Sequence, residues 1–237
     1  MSSVLPIAVI TGASSGIGQS LAEQLAEAGY RVVIVARSRE KLLSICDNIK
    51  SRGYSCIYIP IDIAKTADID KLKKKALELG PISVLINNAG VGYFGPIESI
   101  SIESWNEQLN VNLRASFLLS QAFIPSMKEM KCGSLVFINS IAGRQPFSES
   151  AAYVASKFGL RGLANSLREE LRDHNIKVIS VYPGATNTPF WKKIKHNFAT
   201  QDMLRPIDLA QMILHSIKAP GNLTVEEMVI RRVSGDL

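Results

Sequence analysis

Three residues in the second half of the chain have the types and spacing that carbonyl reduction requires: Ser140, Tyr153 and Lys157. Tyr153 and Lys157 are four residues apart, so on a helix they share one face. A free phenol has a pKa near ~10, but a lysine cation beside it favours the phenolate and lowers that pKa. Tyr153 is therefore a candidate acid/base, and Ser140 is a candidate to hold the carbonyl oxygen while a hydride reaches the carbon.

A glycine-rich stretch at residues 11–18 is typical of a phosphate-binding turn. Gly12, Gly16 and Gly18 permit a tight reversal between a strand and a helix, and the exposed helix start favours an anion. A turn without any ligand is the alternative, but the predicted order of strand, turn and helix is the one that dinucleotide binding needs.

The residues after the second predicted strand indicate which dinucleotide is bound. Ala36 stands where NAD-binding proteins often place an acid, and Arg37 follows it. An acid would repel a 2′-phosphate, whereas an arginine can pair with it. We therefore expect NADP(H), with hydroxyl donors from Ser14, Ser15 and Ser38; the alternative is that Arg37 is only a surface cation.

Polar residues also follow the third and fourth predicted strands. Asp62 could accept a hydrogen bond from an adenine amino group or could cap a helix. Asn88, in the run Asn-Asn-Ala-Gly at 87–90, could contact a cofactor or only bond to backbone, and the small Ala89 and Gly90 would let a ring or ribose approach.

The elements that must position these residues alternate between strand and helix. Predicted strands cover 4–10, 31–35, 55–61, 83–86, 135–138, 177–181 and 225–230, and predicted helices cover 17–28, 39–51, 69–79, 102–130, 151–172 and 207–217. We expect Pro125 to bend the long helix and residues 186–204 to be irregular. This alternation predicts an α/β fold with a parallel sheet, one domain over residues 1–237, and ligands at the carboxyl ends of the strands.

Composition argues against several other functions. The net charge of +6 includes only short basic clusters, at 73–75 and 192–195, so no nucleic-acid partner is expected, although the second cluster could meet an anionic group. No apolar run approaches the ~18 residues of a membrane span. The three cysteines and three histidines are scattered, which predicts reduced thiols, a cytoplasmic location and no metal site.

Taken together, these residues resemble the short-chain dehydrogenase/reductase family over nearly the whole chain. The shared features are Thr-Gly-x-x-x-Gly-x-Gly at 11–18, Asn-Asn-Ala-Gly at 87–90, Asn-Val-Asn-Leu at 110–113, Ser140, Tyr-x-x-x-Lys at 153–157 and Pro-Gly at 183–184.

The resemblance implies a Rossmann-like three-layer sandwich with a seven-stranded parallel sheet. It implies a catalytic tetrad of Asn112, Ser140, Tyr153 and Lys157, in which Lys157 also holds the nicotinamide ribose. Asn112 is implied to bend its helix and to support a water-mediated proton path to Lys157. It places further cofactor contacts at Ile17, Ile63, Pro183, Gly184, Thr186 and Thr188. It also implies a homodimer or homotetramer, with the 102–130 and 151–172 helices at the interface.

The substrate pocket is expected to form from residues 91–98, 141–149 and 185–204. Its candidate lining is aromatic with one cation, which suggests an apolar or mildly acidic small molecule; the residues are Gly92, Tyr93, Phe94, Arg144, Phe147, Phe190 and Trp191.

Two rival functions remain open. The first is a 3-ketoacyl-[acyl-carrier-protein] reductase, because Lys128, Lys131, Arg168 and Arg172 could present a basic face to an acidic carrier. The C-terminal segment 222–232 weakens this interpretation, since it is more similar to broad-range NADP carbonyl reductases and 3-hydroxy-acid dehydrogenases. The second is an NADP-sensing or scaffold protein without catalysis, which would not need a tyrosine and a lysine four residues apart.

Overall fold

The computed structural model describes residues 5–194 and 199–235, and its strands form one parallel sheet in the order β3-β2-β1-β4-β5-β6-β7. The strands are β1 (Ile7–Thr11), β2 (Arg31–Ala36), β3 (Cys56–Pro60), β4 (Ile82–Asn87), β5 (Gly133–Ile138), β6 (Ile176–Pro183) and β7 (Glu227–Ile230). Every residue of β1 and β5 is buried, as expected for apolar strands that are covered on both faces. The predicted seven-stranded parallel sheet is confirmed.

Helices cover both faces of this sheet. They are α1 (Gly16–Glu27), α2 (Arg39–Ser51), α3 (Thr66–Leu77), α4 (Ile102–Leu109), α5 (Ala115–Met130), α6 (Ala151–Leu171) and α7 (Pro206–Ile217). One apolar core includes Phe123 of α5 and Leu160 of α6, and the other includes Leu25 of α1 and Ile213 of α7. Two cores on opposite faces of one sheet make the three layers of a Rossmann-like sandwich.

The strand order reverses at β1, which pairs with β2 on one side and β4 on the other. In open parallel sheets, ligands bind in the crevice that this reversal leaves at the carboxyl ends of the strands. The glycine turn after β1 and the polar run after β4 meet at this crevice.

The long helix predicted over 102–130 is interrupted around Asn112, where the family resemblance implied a bend, and not at Pro125, where the sequence pattern predicted one. The chain remains helical through Pro125, and the irregularity is a wider, π-type turn at Asn110–Arg114. The side chain of Asn112 bonds there to backbone outside the helix, which accounts for a local departure that periodicity does not show.

Most other elements agree with the sequence prediction to within about three residues at each end. The segment expected to be irregular contains two short 3-10 turns, Pro189–Lys193 and Thr200–Asp202; residues 195–198 of it, like residues 1–4, lie outside the described part of the chain. Among the described helices, none is both long and apolar enough to cross a membrane.

Candidate active site

A cleft of about 740 Å³ lies along the carboxyl edge of the sheet. Its lining includes residues that follow β1 through β6, from Arg37 after β2 to Gly184 after β6. Because the strand order runs from β3 to β7, the cleft has two ends. We call the part around Arg37, Lys41 and Asp62 the basic end, and the part around Tyr153, Phe94, Phe190 and Trp191 the aromatic end.

The glycine turn is tightly packed against the loop that follows β4. Gly12 and Gly16 have positive φ angles of 65° and 57°, which a glycine adopts without strain. A Cβ atom on Gly18 would lie 2.5 Å from Asn88 Nδ2 and 2.6 Å from the carbonyl oxygen of Gly12. Glycine is therefore required at this position by packing, and not by backbone angle.

Asn88 holds this turn in place. Its Nδ2 donates to the carbonyl oxygens of Thr11 at 2.8 Å and Gly12 at 3.2 Å, while its backbone N–H donates to Thr11 Oγ1 at 3.1 Å. The structural role that the sequence left open is thus present, and Asn88, Ala89 and Gly90 also line the cleft.

The N-terminus of α1 faces the cleft with free donors. The N-cap residue Ser15 makes no side-chain capping bond, and the first turn contains no acidic residue. The first backbone N–H groups of a helix have no partner within it, and they favour an anion. Ser14, Ser15, Gly16 and Ile17 line the cleft here, as the glycine pattern predicted.

The basic end has two cations rather than the one predicted. Arg37 lines the cleft with its side chain 68% exposed, and its nearest acid is Glu107 at 3.9 Å. Lys41 also lines the cleft, although the sequence analysis missed it; its position four residues after Arg37, on the first turn of α2, was the available signal. Ser38 Oγ accepts from the backbone N–H of Lys41 at 3.5 Å and so caps α2.

Asp62 lines the same end, together with Ile61 and Ile63. Its Oδ1 accepts from the backbone N–H of Ala64 at 3.1 Å, which organises a turn before α3. The helix itself begins at Thr66 with Lys65 as N-cap, so Asp62 is not the helix cap that the sequence offered as an alternative.

Lys157 is buried beneath the cleft floor. Its Nζ donates to the carbonyl oxygen of Ile138 at 3.0 Å and would lie 3.8 Å from a Cβ atom on Gly90. Burial lowers the pKa of Lys157 to about 8, because a charged amine is poorly solvated there.

Tyr153 behaves differently from the sequence expectation. Burial raises the pKa of its phenol to about 12, and this outweighs the hydrogen bond with Ser140, which acts to lower it. Lys157 Nζ lies 5.7 Å from the centroid of the Tyr153 ring. The expected lowering of the Tyr153 pKa by Lys157 is therefore wrong for this structure, in which desolvation is the larger effect.

Asn112 and Ser140 are held by local hydrogen bonds. Asn112 exchanges two bonds with the backbone of Val91, at 2.8 and 2.9 Å, and donates to Ser156 Oγ at 2.9 Å. Asn112 supports the cleft wall from behind without lining it. Ser140 lines the cleft and accepts from the backbone N–H of Ala142 at 3.1 Å.

The loop after β6 closes the cleft opposite the glycine turn. Pro183, Gly184, Thr186 and Thr188 all line it, and a Cβ on Gly16 would lie 2.7 Å from Thr188 Cγ2. The glycine turn and the residues expected beside a nicotinamide are therefore in contact.

The aromatic end brings together four of the predicted substrate residues, Phe94, Phe147, Phe190 and Trp191. The Tyr153 ring centroid lies 5.2 Å from that of Phe94 and 5.9 Å from that of Phe190. Gly92 lies against this wall, since a Cβ on it would be 2.6 Å from Phe190 Cζ.

Three predicted substrate residues, Gly92, Tyr93 and Arg144, are not part of the lining. Tyr93 is turned away, and its hydroxyl donates to Glu107 Oε2 at 2.6 Å. Arg144 forms a 2.6 Å ion pair with Glu227 and packs 5.2 Å from the ring centroid of Tyr182. Tyr93 bonds to a residue 14 positions away and Arg144 to a residue 83 positions away, and residue spacing does not predict such contacts.

Six of the described lining residues lie in the ranges 141–149 and 185–204 that the sequence assigned to the substrate pocket, although they were not named individually: Ile141, Ala142, Ser148, Glu149, Ala185 and Ile194. Further lining residues were missed because they lie beside motif residues without being part of a motif; they include Val111, Ile138, Asn139 and Ser150.

The basic face expected for an acidic carrier protein does not form. Arg168 is buried and donates to the carbonyl oxygens of Val178 and Glu226. Lys128 pairs with Glu170 at 3.1 Å, and Arg172 pairs with Glu169 and Glu226. In the described residues no cluster of His, Cys, Asp and Glu has the arrangement of a metal site.

Comparisons with known proteins identify the family of this chain. A family model described as short chain dehydrogenase matches residues 6–199. A sepiapterin reductase of Chlorobaculum tepidum is 34% identical over 98% of each chain.

Two solved structures have nearly the same fold. A metagenomic short-chain oxidoreductase in complex with NADP is 36% identical, with a TM-score of 0.85 over 97% of this chain and 98% of the other. An alcohol dehydrogenase from the archaeon Thermococcus sibiricus, complexed with 5-hydroxy-NADP, is 31% identical, with a TM-score of 0.90 over 97% of each chain. With the family model covering most of its length, this chain belongs to the short-chain dehydrogenase family.

Proposed function

We propose that this protein is an NADP(H)-dependent oxidoreductase that transfers a hydride between the nicotinamide and the carbon of a ketone, aldehyde or secondary alcohol, with Tyr153 as the acid/base. The observation that carries the proposal is the single cleft that contains Ser140, Tyr153 and Lys157 together with the glycine turn. Membership of the family supports the reaction class.

The basic end fits a phosphorylated dinucleotide. Arg37 and Lys41 offer two cations to a 2′-phosphate, and the N-terminus of α1 offers backbone donors to a pyrophosphate. The NADP bound to the metagenomic relative and the 5-hydroxy-NADP bound to the archaeal one support the same choice.

The nicotinamide would supply or accept the hydride, and the chain supplies the proton. At neutral pH a phenol with a pKa of about 12 keeps its proton, so Tyr153 is ready to donate it to a carbonyl oxygen. Ser140, hydrogen-bonded to Tyr153, can hold that oxygen.

Lys157 and Asn112 have supporting roles beside Tyr153: Lys157 can bind the cofactor, and Asn112 holds the cleft wall. Lys157, with a pKa of about 8, is mostly protonated at pH 7 and can donate to a ribose hydroxyl above it. Asn112 fixes the backbone of Val91 beside Gly90 and so positions the wall that Lys157 faces.

Two further parts of the proposal concern partners. Phe117 of α5 and Phe158 of α6 are 46% and 41% exposed, which supports a homo-oligomer formed through these helices. The ion pairs of Lys128 and Arg172 argue against an acidic carrier protein as the partner, so we favour a free carbonyl compound.

The test is NADPH oxidation over a panel of ketones, aldehydes and 3-oxo acids with wild type and Tyr153→Phe. We expect Tyr153→Phe to lower kcat by about 100- to 10,000-fold, the range for loss of a general acid, with NADPH affinity unchanged. Tyr93→Phe is the matched control, because the Tyr93 hydroxyl bonds to Glu107 outside the cleft lining.

Two results would contradict the proposal. Full activity in Tyr153→Phe would remove the assigned acid. A wild-type protein that binds NADPH but reduces no carbonyl would point instead to a sensing or scaffold protein.

A further inference from the structure

The aromatic end of the cleft contains a carboxylate that the proposed reaction does not use. Among the described lining residues, five have charged side chains: Arg37, Lys41 and Asp62 at the basic end, Lys157 under Tyr153, and Glu149. Of the two outside the basic end, Lys157 is buried and already assigned to the proposed reaction, so Glu149 is the acidic residue of the described lining there that has no assigned role.

The backbone fixes Glu149 at the cleft. Its carbonyl oxygen accepts from the N–H of Gly95 at 2.8 Å, which joins the loop after β4 to the loop before α6. Gly95 follows the aromatic residue Phe94, and Glu149 precedes Tyr153 by four residues. Glu149 has a φ of 56°, an unfavourable value for a side chain larger than glycine, so the surrounding contacts must hold it there.

Arg144, the cation that the sequence predicted for this end, does not line the cleft. Arg144 is paired with Glu227 at 2.6 Å, and Glu227 also accepts from the Tyr182 hydroxyl at 2.9 Å. Arg161 lies 3.6 Å from the same carboxylate. Arg144 therefore stays in a charge cluster beside β7, outside the cleft lining, and does not balance Glu149.

Aromatic rings form much of the remaining surface of this end. Tyr153, Phe190 and Trp191 form a chain of ring contacts, with centroid separations of 5.9 Å and 5.5 Å. Aromatic side chains pack favourably against flat rings and against cations. A negative charge held near Glu149 would instead be repelled, and water would weaken the repulsion without abolishing it.

We propose that the aromatic end selects carbonyl compounds in which the carbonyl is joined to an uncharged or cationic flat ring, and rejects those bearing a carboxylate, with Glu149 as the discriminating residue. This inference rests on the proposed function and narrows it. It replaces the sequence expectation of an apolar or mildly acidic substrate, because that expectation depended on Arg144.

The experiment compares three aryl ketones of similar shape: acetophenone, 4-acetylbenzoate and 4-acetyl-N,N,N-trimethylanilinium. We would measure kcat/KM for each with NADPH, using wild type, Glu149→Gln and the control Glu98→Gln. Gln keeps the size of Glu and meets the same backbone constraint, so only the charge is removed. Glu98 is exposed on the neighbouring loop and does not line the cleft.

We expect wild type to prefer acetophenone over 4-acetylbenzoate by about tenfold or more, and Glu149→Gln to raise kcat/KM for the carboxylate by about fivefold. We expect Glu149→Gln to lower it for the cationic ketone by a similar factor and to leave acetophenone within twofold. Glu98→Gln should change none of these values by more than twofold.

The inference is wrong if wild type prefers the carboxylate, or if Glu149→Gln changes all three ketones equally. It is also wrong if wild type reduces other carbonyls but none of these three, an outcome that leaves the proposed function intact. Failure of the proposed function is a different result, namely no turnover of any carbonyl by wild type.

Discussion

The basic and aromatic ends of the cleft are built from different parts of the chain. At the basic end, the backbone forms the surface: the glycine turn, the N-terminus of α1 and the hydrogen bonds of Asn88 leave little room for change. At the aromatic end, the surface consists of ring side chains from α6 and from the loops after β4 and β6. A surface made of backbone requires particular residues, whereas one made of side chains can be altered by substitution.

This difference explains which end the sequence predicted well. Backbone constraints leave a motif of glycines and asparagine at fixed spacing, so the basic end was recognised almost residue by residue. The aromatic end was predicted from residue types in loops. A positive charge was predicted there from Arg144, but Arg144 is paired with Glu227, and the described lining contains the unpaired acidic residue Glu149 instead.

The largest effect should follow from Gly18→Ala at the basic end. The added Cβ would lie 2.6 Å from a backbone oxygen and 2.5 Å from Asn88, so the turn must shift. Overpacking of this kind costs about 1–3 kcal/mol, which corresponds to a loss of NADPH affinity of about 5- to 150-fold. Titration calorimetry with NADPH measures it, and unchanged affinity would show that the turn is not a rigid cofactor site.

A smaller effect is expected from Arg37→Ala. Charge-assisted hydrogen bonds contribute about 1.5–3 kcal/mol, but the Arg37 side chain is 68% exposed, so we expect the lower limit, an increase of about tenfold in the KM for NADPH. The KM for NADH should stay within twofold. Arg39→Ala is the control, since Arg39 is exposed two residues further on, at the start of α2, and does not line the cleft. Equal changes for NADPH and NADH would mean that Arg37 does not meet the 2′-phosphate.

The smallest effect should come from Gly92→Ala, the counterpart of Gly18→Ala at the aromatic end. Its Cβ would lie 2.6 Å from Phe190 Cζ and 2.7 Å from Phe94 Cε2, which are the far ends of rings that can turn. We expect the KM for a carbonyl substrate to change about two- to fivefold and NADPH affinity to stay unchanged. If Gly92→Ala weakened NADPH binding as much as Gly18→Ala does, the contrast between the two ends would be wrong.

The fold was predicted because its signals are local, and the signals of the candidate catalytic residues are local too. Apolar strands, helix periodicity and the spacing of Tyr153 and Lys157 can be identified within short windows of sequence. The interruption at Asn110–Arg114 was implied at Asn112 by the family resemblance but not by helix periodicity, because it depends on bonds between Asn112 and Val91, 21 residues away. The raised pKa of Tyr153 was also missed, since burial is a property of the folded chain.

We propose hydride transfer to a carbonyl carbon with Tyr153 supplying the proton. A deuterium label at the nicotinamide shows whether the hydride reaches that carbon. Wild type would reduce a ketone with NADPH that has two deuterium atoms at nicotinamide C4, and the product alcohol would be examined by mass spectrometry and NMR. We predict one deuterium on the carbinol carbon of the product alcohol. An alcohol formed without deuterium at that carbon would contradict the proposal.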